Sequence, residues 1–152
     1  MDNYFQVIDG IKYDTAQATA ICKGEFTKER SPGLHYKYRK FRKPLLIYTN
    51  IVTDIYNYII YKGVNGGYFM YSKLDKQYKK IDHLDNNKTT LDKTLYIKQA
   101  IKPLTRDEAI DYYFNGYQYP FNSCESWIIS WDHVVMIPLI SEEEAFEGIP
   151  VA

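Results

Sequence analysis

Cysteine and histidine are scarce in this chain of 152 residues, which holds 2 of the first and 3 of the second. No pair drawn from Cys22, Cys124, His35, His83 and His133 has the close C-x-x-C or H-x-x-x-H spacing of a structural zinc site, so no metal and no other cofactor is expected. Cys124 with His133 is the one pairing that keeps the question open. Long apolar runs are also missing. Nothing approaches the roughly 20 consecutive apolar residues of a membrane span. The start, Met1-Asp2-Asn3-Tyr4, lacks a basic region followed by an apolar stretch, so a cytoplasmic protein without a membrane partner is expected, with two reduced thiols rather than a disulfide.

Catalytic groupings are equally thin. Cys124, His133 and Asp132 are the residues that permit a thiol, imidazole and carboxylate arrangement. Asp82-His83 with Asp85 lies in a polar segment where such side chains stay hydrated. Gly63, Gly66 and Gly67 do not carry a strand into a helix with phosphate-loop spacing and read as turn residues. The chain is read as non-enzymatic.

Net charge is absent as well, with 19 Lys+Arg against 19 Asp+Glu, but the zero is a sum of unlike parts. Residues 1–104 hold 18 Lys+Arg against 10 Asp+Glu, whereas residues 105–152 hold 1 against 9. Surfaces of one sign select partners by Coulomb attraction. What the chain has in excess is tyrosine, 16 residues of it. A Tyr ring packs on a half-buried pleated surface while its hydroxyl stays wet, which favours sheet and supplies contact area at interfaces.

Along the chain, Asp9-Gly10 between two apolar stretches predicts a tight hairpin over residues 4–13. Asp14, three residues before Gln17, predicts a short capped helix over residues 15–22, and Ser31-Pro32-Gly33 marks residues 25–33 as a loop. Residues 35–43 alternate as a basic ribbon, Tyr36 and Tyr38 on one face and His35, Lys37 and Arg39 on the other. Separate strands follow at 45–48 and 51–56. An aromatic hairpin at 58–61 and 68–71 closes through Gly63 to Gly67, at the centre of the sheet. Residues 72–93 read as polar, with an exposed tip at Asp85-Asn86-Asn87-Lys88, and a strand resumes over 95–102.

Thr105-Arg106-Asp107-Glu108 is a capping box for a helix that ends before Gly116, and Ser141-Glu142-Glu143-Glu144 is a second one. Strands are expected at 127–131 and 134–139, with a turn at Asp132-His133. The elements sum to an α+β fold, a twisted antiparallel sheet of hairpins with two or three short capped helices. Residues 1–114 form the core domain in this reading, and residues 115–152 an acidic C-terminal annex packed on it.

Three stretches, Asp9-Gly10-Ile11-Lys12-Tyr13-Asp14-Thr15, the hairpin from Ile60 through Gly66-Gly67 to Tyr71, and Ile101-Lys102-Pro103-Leu104-Thr105-Arg106-Asp107-Glu108-Ala109, occur in a familiar order. Across residues 9–114 the chain resembles a group of small proteins from phages and integrative elements of Gram-positive bacteria. Their pattern runs Y-D-T-x-x-A, then L-Y-x-x-x-x-G-x-Y-F, then P-L-T-x-x-E-A. Where that group has a Gly-rich segment after the second hairpin strand, this chain has Ser72-Lys73-Leu74-Asp75. Anti-CRISPR proteins share this genomic setting and size. The resemblance therefore implies a mobile-element inhibitor of host defence, acting in the host bacterial cytoplasm on a CRISPR effector nuclease and blocking target DNA binding or cleavage.

Two segments are candidate partner-binding surfaces. Tyr36, Lys37, Tyr38, Arg39, Lys40, Arg42 and Lys43, with Phe41 among them, combine phosphate-neutralising cations with rings that stack on bases, so nucleic acid is an alternative partner. The same cations also serve a solvated edge strand that must not pair with other chains. Glu142, Glu143 and Glu144, with Glu125, Asp132 and Glu147, offer charge that competes for a cationic groove. For Glu142, Glu143 and Glu144, in the first turn of a helix, the macrodipole is the simpler explanation. A third arrangement folds the acidic end onto the basic ribbon and leaves neither free.

Overall fold

A computed structural model of the chain describes residues 3–122 and 129–152, and the side chains of these except at 30, 32, 92–97, 118–122 and 129–133. The first hairpin pairs β1 (Phe5–Ile8) with β2 (Ile11–Asp14). Ile8 stands opposite Ile11, so Asp9 and Gly10 alone make the loop, and both have positive φ, 50° and 77°, as the twist of a two-residue hairpin turn requires. The helix expected over residues 15–22 is absent. Asp14 spends its capping capacity on a turn, its carboxylate accepting the Ala16 N–H at 2.9 Å and its carbonyl the Gln17 N–H at 3.3 Å. Thr19 and Ile21, both β-branched, then enter a strand.

Four long strands follow, β3 (Thr19–Lys37), β4 (Leu45–Lys62), β5 (Tyr68–Asp82) and β6 (Lys88–Leu104). After them come α1 (Arg106–Asn115), β7 (Tyr117–Asn122), β8 (Ile129–Val134), β9 (Ile137–Pro138) and α2 (Glu142–Ala145). The main sheet has the order β6-β5-β4-β3-β9. Its four long strands run as a meander, and β9 adds antiparallel to β3 through Cys22 opposite Pro138 and Lys23 opposite Ile137. Antiparallel sheet thus dominates, with two short helices.

The strands are longer than their sequence suggests. Ser31-Pro32-Gly33, expected as a loop, lies inside β3. Among the described residues no strand pairs with the outer side of β3 beyond Lys23, and an edge strand tolerates a residue that lacks an N–H. The two strands expected at 45–48 and 51–56 are one, and β5 continues through the polar residues to Asp82. The tip at 85–88 is a turn, with Asn86 and Asn87 at φ 50° and 56° and the Lys88 N–H on the Asp85 carbonyl at 2.8 Å. The turn expected at Asp132-His133 is instead part of β8, where Asp132 pairs with Tyr119 and His133 with Gln118. Of the strand expected at 127–131, residues 127 and 128 lie outside the described residues.

The chain divides into two compact units, and β3 to β6 contribute to both. Unit 1 comprises Met1–Phe26, Asn57–Lys73 and Gln99–Ala152; unit 2 comprises Thr27–Tyr56 and Leu74–Lys98. In unit 1, Ile59, Tyr61, Phe69, Tyr71 and Ile101 form a buried cluster with Tyr4, Ile8, Tyr13, Ala18 and Ala20 against it. The alternate residues Tyr58, Ile60, Tyr68 and Met70 are buried too, so this part of the sheet is covered on both faces. Phe146, 2% exposed, packs on Tyr68 and Tyr113 at ring distances of 5.3 and 5.4 Å. The two hydroxyls donate to Ala145 O and Ile140 O at 2.8 and 2.7 Å.

Gly24 explains itself by what lies over it. A Cβ there would stand 2.6 Å from Val134 Cγ1 and 2.7 Å from Met136 Sδ. Val134 and Met136 therefore pack closely over β3 within unit 1. Helix α1 has the full capping box, the Thr105 hydroxyl accepting the Glu108 N–H at 3.1 Å and the Glu108 carboxylate accepting the Thr105 N–H at 3.0 Å.

Unit 2 buries little. Of its described side chains only Val52 and Asp54 are buried. The His35 ring stacks on Tyr48 at 4.0 Å, Asn50 Nδ2 meets His35 Nε2 at 3.1 Å, and Lys80 Nζ lies 4.3 Å from the Tyr48 ring centre. Among the described residues no helix is long and apolar enough to cross a membrane.

Candidate functional site

The basic ribbon ends a strand and forms a turn. Residues 35–37 finish β3, and the strand expected to continue to Lys43 stops at Lys37, where the chain bends so that the Arg42 N–H approaches the Arg39 carbonyl at 3.4 Å. Pro44, with φ fixed and no N–H, precedes β4. Tyr36, Lys37, Tyr38, Arg39, Lys40, Arg42 and Lys43 are all exposed, Tyr38 at 81%. Arg39 Nη2 donates to Lys43 O at 3.1 Å, which braces the turn, and Lys40 Nζ lies 5.3 Å from the Phe41 ring centre. Among the described residues none of these five cations is in an ion pair. His35, expected on the face of Lys37 and Arg39, is half-buried against Tyr48.

Phe41 carries the strongest signal in the turn. Its side chain is 95% exposed and its backbone sits at φ 59°. A bulky residue in the left-handed region costs roughly 1–3 kcal/mol, and such strain concentrates at binding and catalytic sites. Neither burial nor a capping role returns that cost within the fold. The ribbon pattern includes Phe41 but gives no hint of its backbone, since aromatic residues are poor formers of left-handed turns.

Glu142, Glu143 and Glu144 are exposed in the first turn of α2. The Ser141 hydroxyl accepts the Glu144 N–H at 3.3 Å and donates to Glu144 Oε1 at 3.2 Å, so the third carboxylate is tied to its cap while the first two point no polar atom at a described partner. Arg106, the single cation after residue 104, donates to the Glu147 carbonyl at 2.6 Å. Glu125 lies outside the described residues, and Asp132 is placed only as a position in β8.

Charge is sorted by compact unit rather than by halves of the chain. Unit 2 carries 13 Lys+Arg against 6 Asp+Glu, and unit 1 carries 6 against 13. Among the described residues the ribbon cations and Glu142, Glu143 and Glu144 are in no ion pair.

Of the candidate catalytic groups, Cys124 and the side chains of Asp132 and His133 lie outside the described residues, whereas those of Asp82 and His83 are described. His83 directs Nε2 to the Thr49 hydroxyl at 2.8 Å and Nδ1 to Asn87 Oδ1 at 2.9 Å, while the Asp82 carboxylate accepts the Leu84 N–H at 3.0 Å, so the Asp82, His83 and Asp85 grouping is not an acid/base cluster. Among the described residues no three His, Cys, Asp or Glu side chains are placed to hold a metal ion, and Cys124 lies outside them. Cys22 is a free, buried thiol pushed up to about 12 by desolvation, against a weaker opposing hydrogen bond with the Ile60 backbone. A cleft of about 460 Å³ in unit 1, bordered by Lys23, Glu25, Tyr58 and Lys73, has among the described residues neither a His nor a hydroxyl or thiol nucleophile beyond tyrosine.

No protein-family model, no curated protein and no solved structure matches this chain.

Proposed function

We propose that this chain is a non-enzymatic inhibitor of host defence, encoded by a mobile element, which binds a CRISPR effector nuclease in the bacterial cytoplasm and blocks target DNA binding or cleavage. The observation that carries this reading is the division of charge between the two compact units, with ribbon cations and α2 carboxylates both exposed and free of ion pairs among the described residues. A nuclease that handles DNA presents cationic grooves, and a surface such as that of unit 1, with 13 acidic residues against 6 basic ones, competes for them by Coulomb attraction. The three-segment resemblance over residues 9–114 supplies the setting.

The test is capture of an effector from a CRISPR-carrying host on immobilised protein, followed by target cleavage by purified effector with and without the chain. Inhibition that weakens when Glu142, Glu143 and Glu144 are replaced together by Gln supports the reading. Absence of both binding and inhibition across effector types removes it.

A further inference from the structure

The turn between β3 and β4 presents exposed rings and exposed cations, the cations in no ion pair among the described residues. We infer that this turn, from Tyr36 to Lys43, is a binding site for single-stranded nucleic acid, with Lys37, Arg39, Lys40, Arg42 and Lys43 on phosphates and Tyr38 and Phe41 stacked on bases.

Four observations converge on it. The five cations lie within seven residues, are exposed, and pair with no carboxylate among the described residues, so their positive potential is uncompensated locally. They belong to the unit in which Lys+Arg exceed Asp+Glu by 13 to 6. Two rings stand among them almost bare, Tyr38 at 81% and Phe41 at 95%, where water-exposed aromatic surface is unfavourable unless something covers it. The left-handed backbone of Phe41 holds that ring in the turn at an energetic cost, and Lys40 approaches the same ring at 5.3 Å.

The single-stranded form follows from the rings. A base inside a duplex has both faces stacked on neighbours, whereas an unpaired base offers a face to Tyr or Phe, and the contact tolerates any sequence. Phosphate contact adds the affinity and makes it salt-dependent. If all five cations neutralise a phosphate, the logarithm of the binding constant falls with the logarithm of salt concentration at a slope of about −3.5, a loss of about 100-fold between 50 and 200 mM. The site uses none of the α2 carboxylates named above and is measured without any nuclease, so its failure and the failure of the inhibitor reading are separate events.

The experiment is fluorescence anisotropy of labelled oligothymidylate, oligouridylate and a duplex of similar length, titrated with the full chain across that salt range. Binding of the single strands in preference to the duplex, with a slope near the stated value, is expected. Lys40→Gln with Arg42→Gln makes the slope about 1.4 less steep. Phe41→Ala and Tyr38→Ala each weaken binding by about 5- to 150-fold at constant slope, and Phe41→Leu, apolar but without a π face, behaves like Phe41→Ala. Circular dichroism confirms that each variant is folded. The two single strands separate a ligand that is RNA from one that is DNA, and preference for either supports the site. No binding at the lowest salt overturns the inference, as does equal binding of duplex that is indifferent to Tyr38 and Phe41. Self-association at low salt in place of oligonucleotide binding, seen by sedimentation, overturns it as well.

Discussion

Truncating Phe146 to Ala tests whether the acidic C-terminal segment is part of the core of unit 1. The ring is 2% exposed and meets Tyr68 at 5.3 Å and Tyr113 at 5.4 Å, the second pair edge-on at 88°. Removing a buried Phe side chain costs about 3–5 kcal/mol, of which the two ring pairs supply about 1–3. For a domain of this size each kcal/mol lowers the melting temperature by about 2–4 °C, so a fall of roughly 6–20 °C is expected. Urea unfolding followed by tyrosine and tryptophan fluorescence gives the free energy directly. Val151→Ala, at a residue 95% exposed, is the matched control and stays within about 0.5 kcal/mol of the parent. A loss below about 1 kcal/mol for Phe146→Ala would refute the packing of residues 141–147 on the sheet, because no cavity in a rigid core is that inexpensive.

Gly24→Ala destabilises by about 1–3 kcal/mol, since its new Cβ meets Val134 Cγ1 at 2.6 Å, whereas Gly67→Ala, with nothing within 4 Å, is neutral or slightly stabilising; thermal melts of the pair decide it. Thr105→Ala removes half of the α1 capping box and costs about 1 kcal/mol in urea unfolding. Native Cys22 resists alkylation at pH 8 until denaturant is added, tested in a Cys124→Ser background, because burial holds the thiol protonated. Stability declines as pH rises above 9: the unfolded Cys22 thiol ionises there while the folded one keeps its proton up to about 12, and burial raises Tyr61, Tyr68, Tyr112 and Tyr113 in the same direction. Denaturation midpoints on either side of that pH check the sign.

Local chemistry was the readable part of the fold. The Asp9-Gly10 hairpin, the turn at Gly63 to Gly67 and the Thr105 cap each depend on a few adjacent residues, and each stands where the sequence puts it. Asp14 misleads because the same carboxylate that caps a helix closes a turn, and the choice is made by Thr15, which binds the Tyr4 backbone at 2.9 and 3.0 Å across the hairpin. Pro32 reads as a break because its tolerance depends on being at a sheet edge, a property of strand order that no local window contains. The ribbon was legible as composition. Its termination at Lys37 and the backbone of Phe41 were not, and the division of charge by unit required knowing that residues 27–56 and 74–98 come together.

Each of β3 to β6 contributes residues to both units, so neither unit is one continuous stretch of sequence. Because side chains alternate faces with a period of two, residues can be gained or lost in pairs on facing strands of a hairpin while every remaining side chain keeps its face. The hairpin that carries the basic turn is thus adjustable in length by steps of two residues per strand, while the aromatic layers of unit 1 hold their composition.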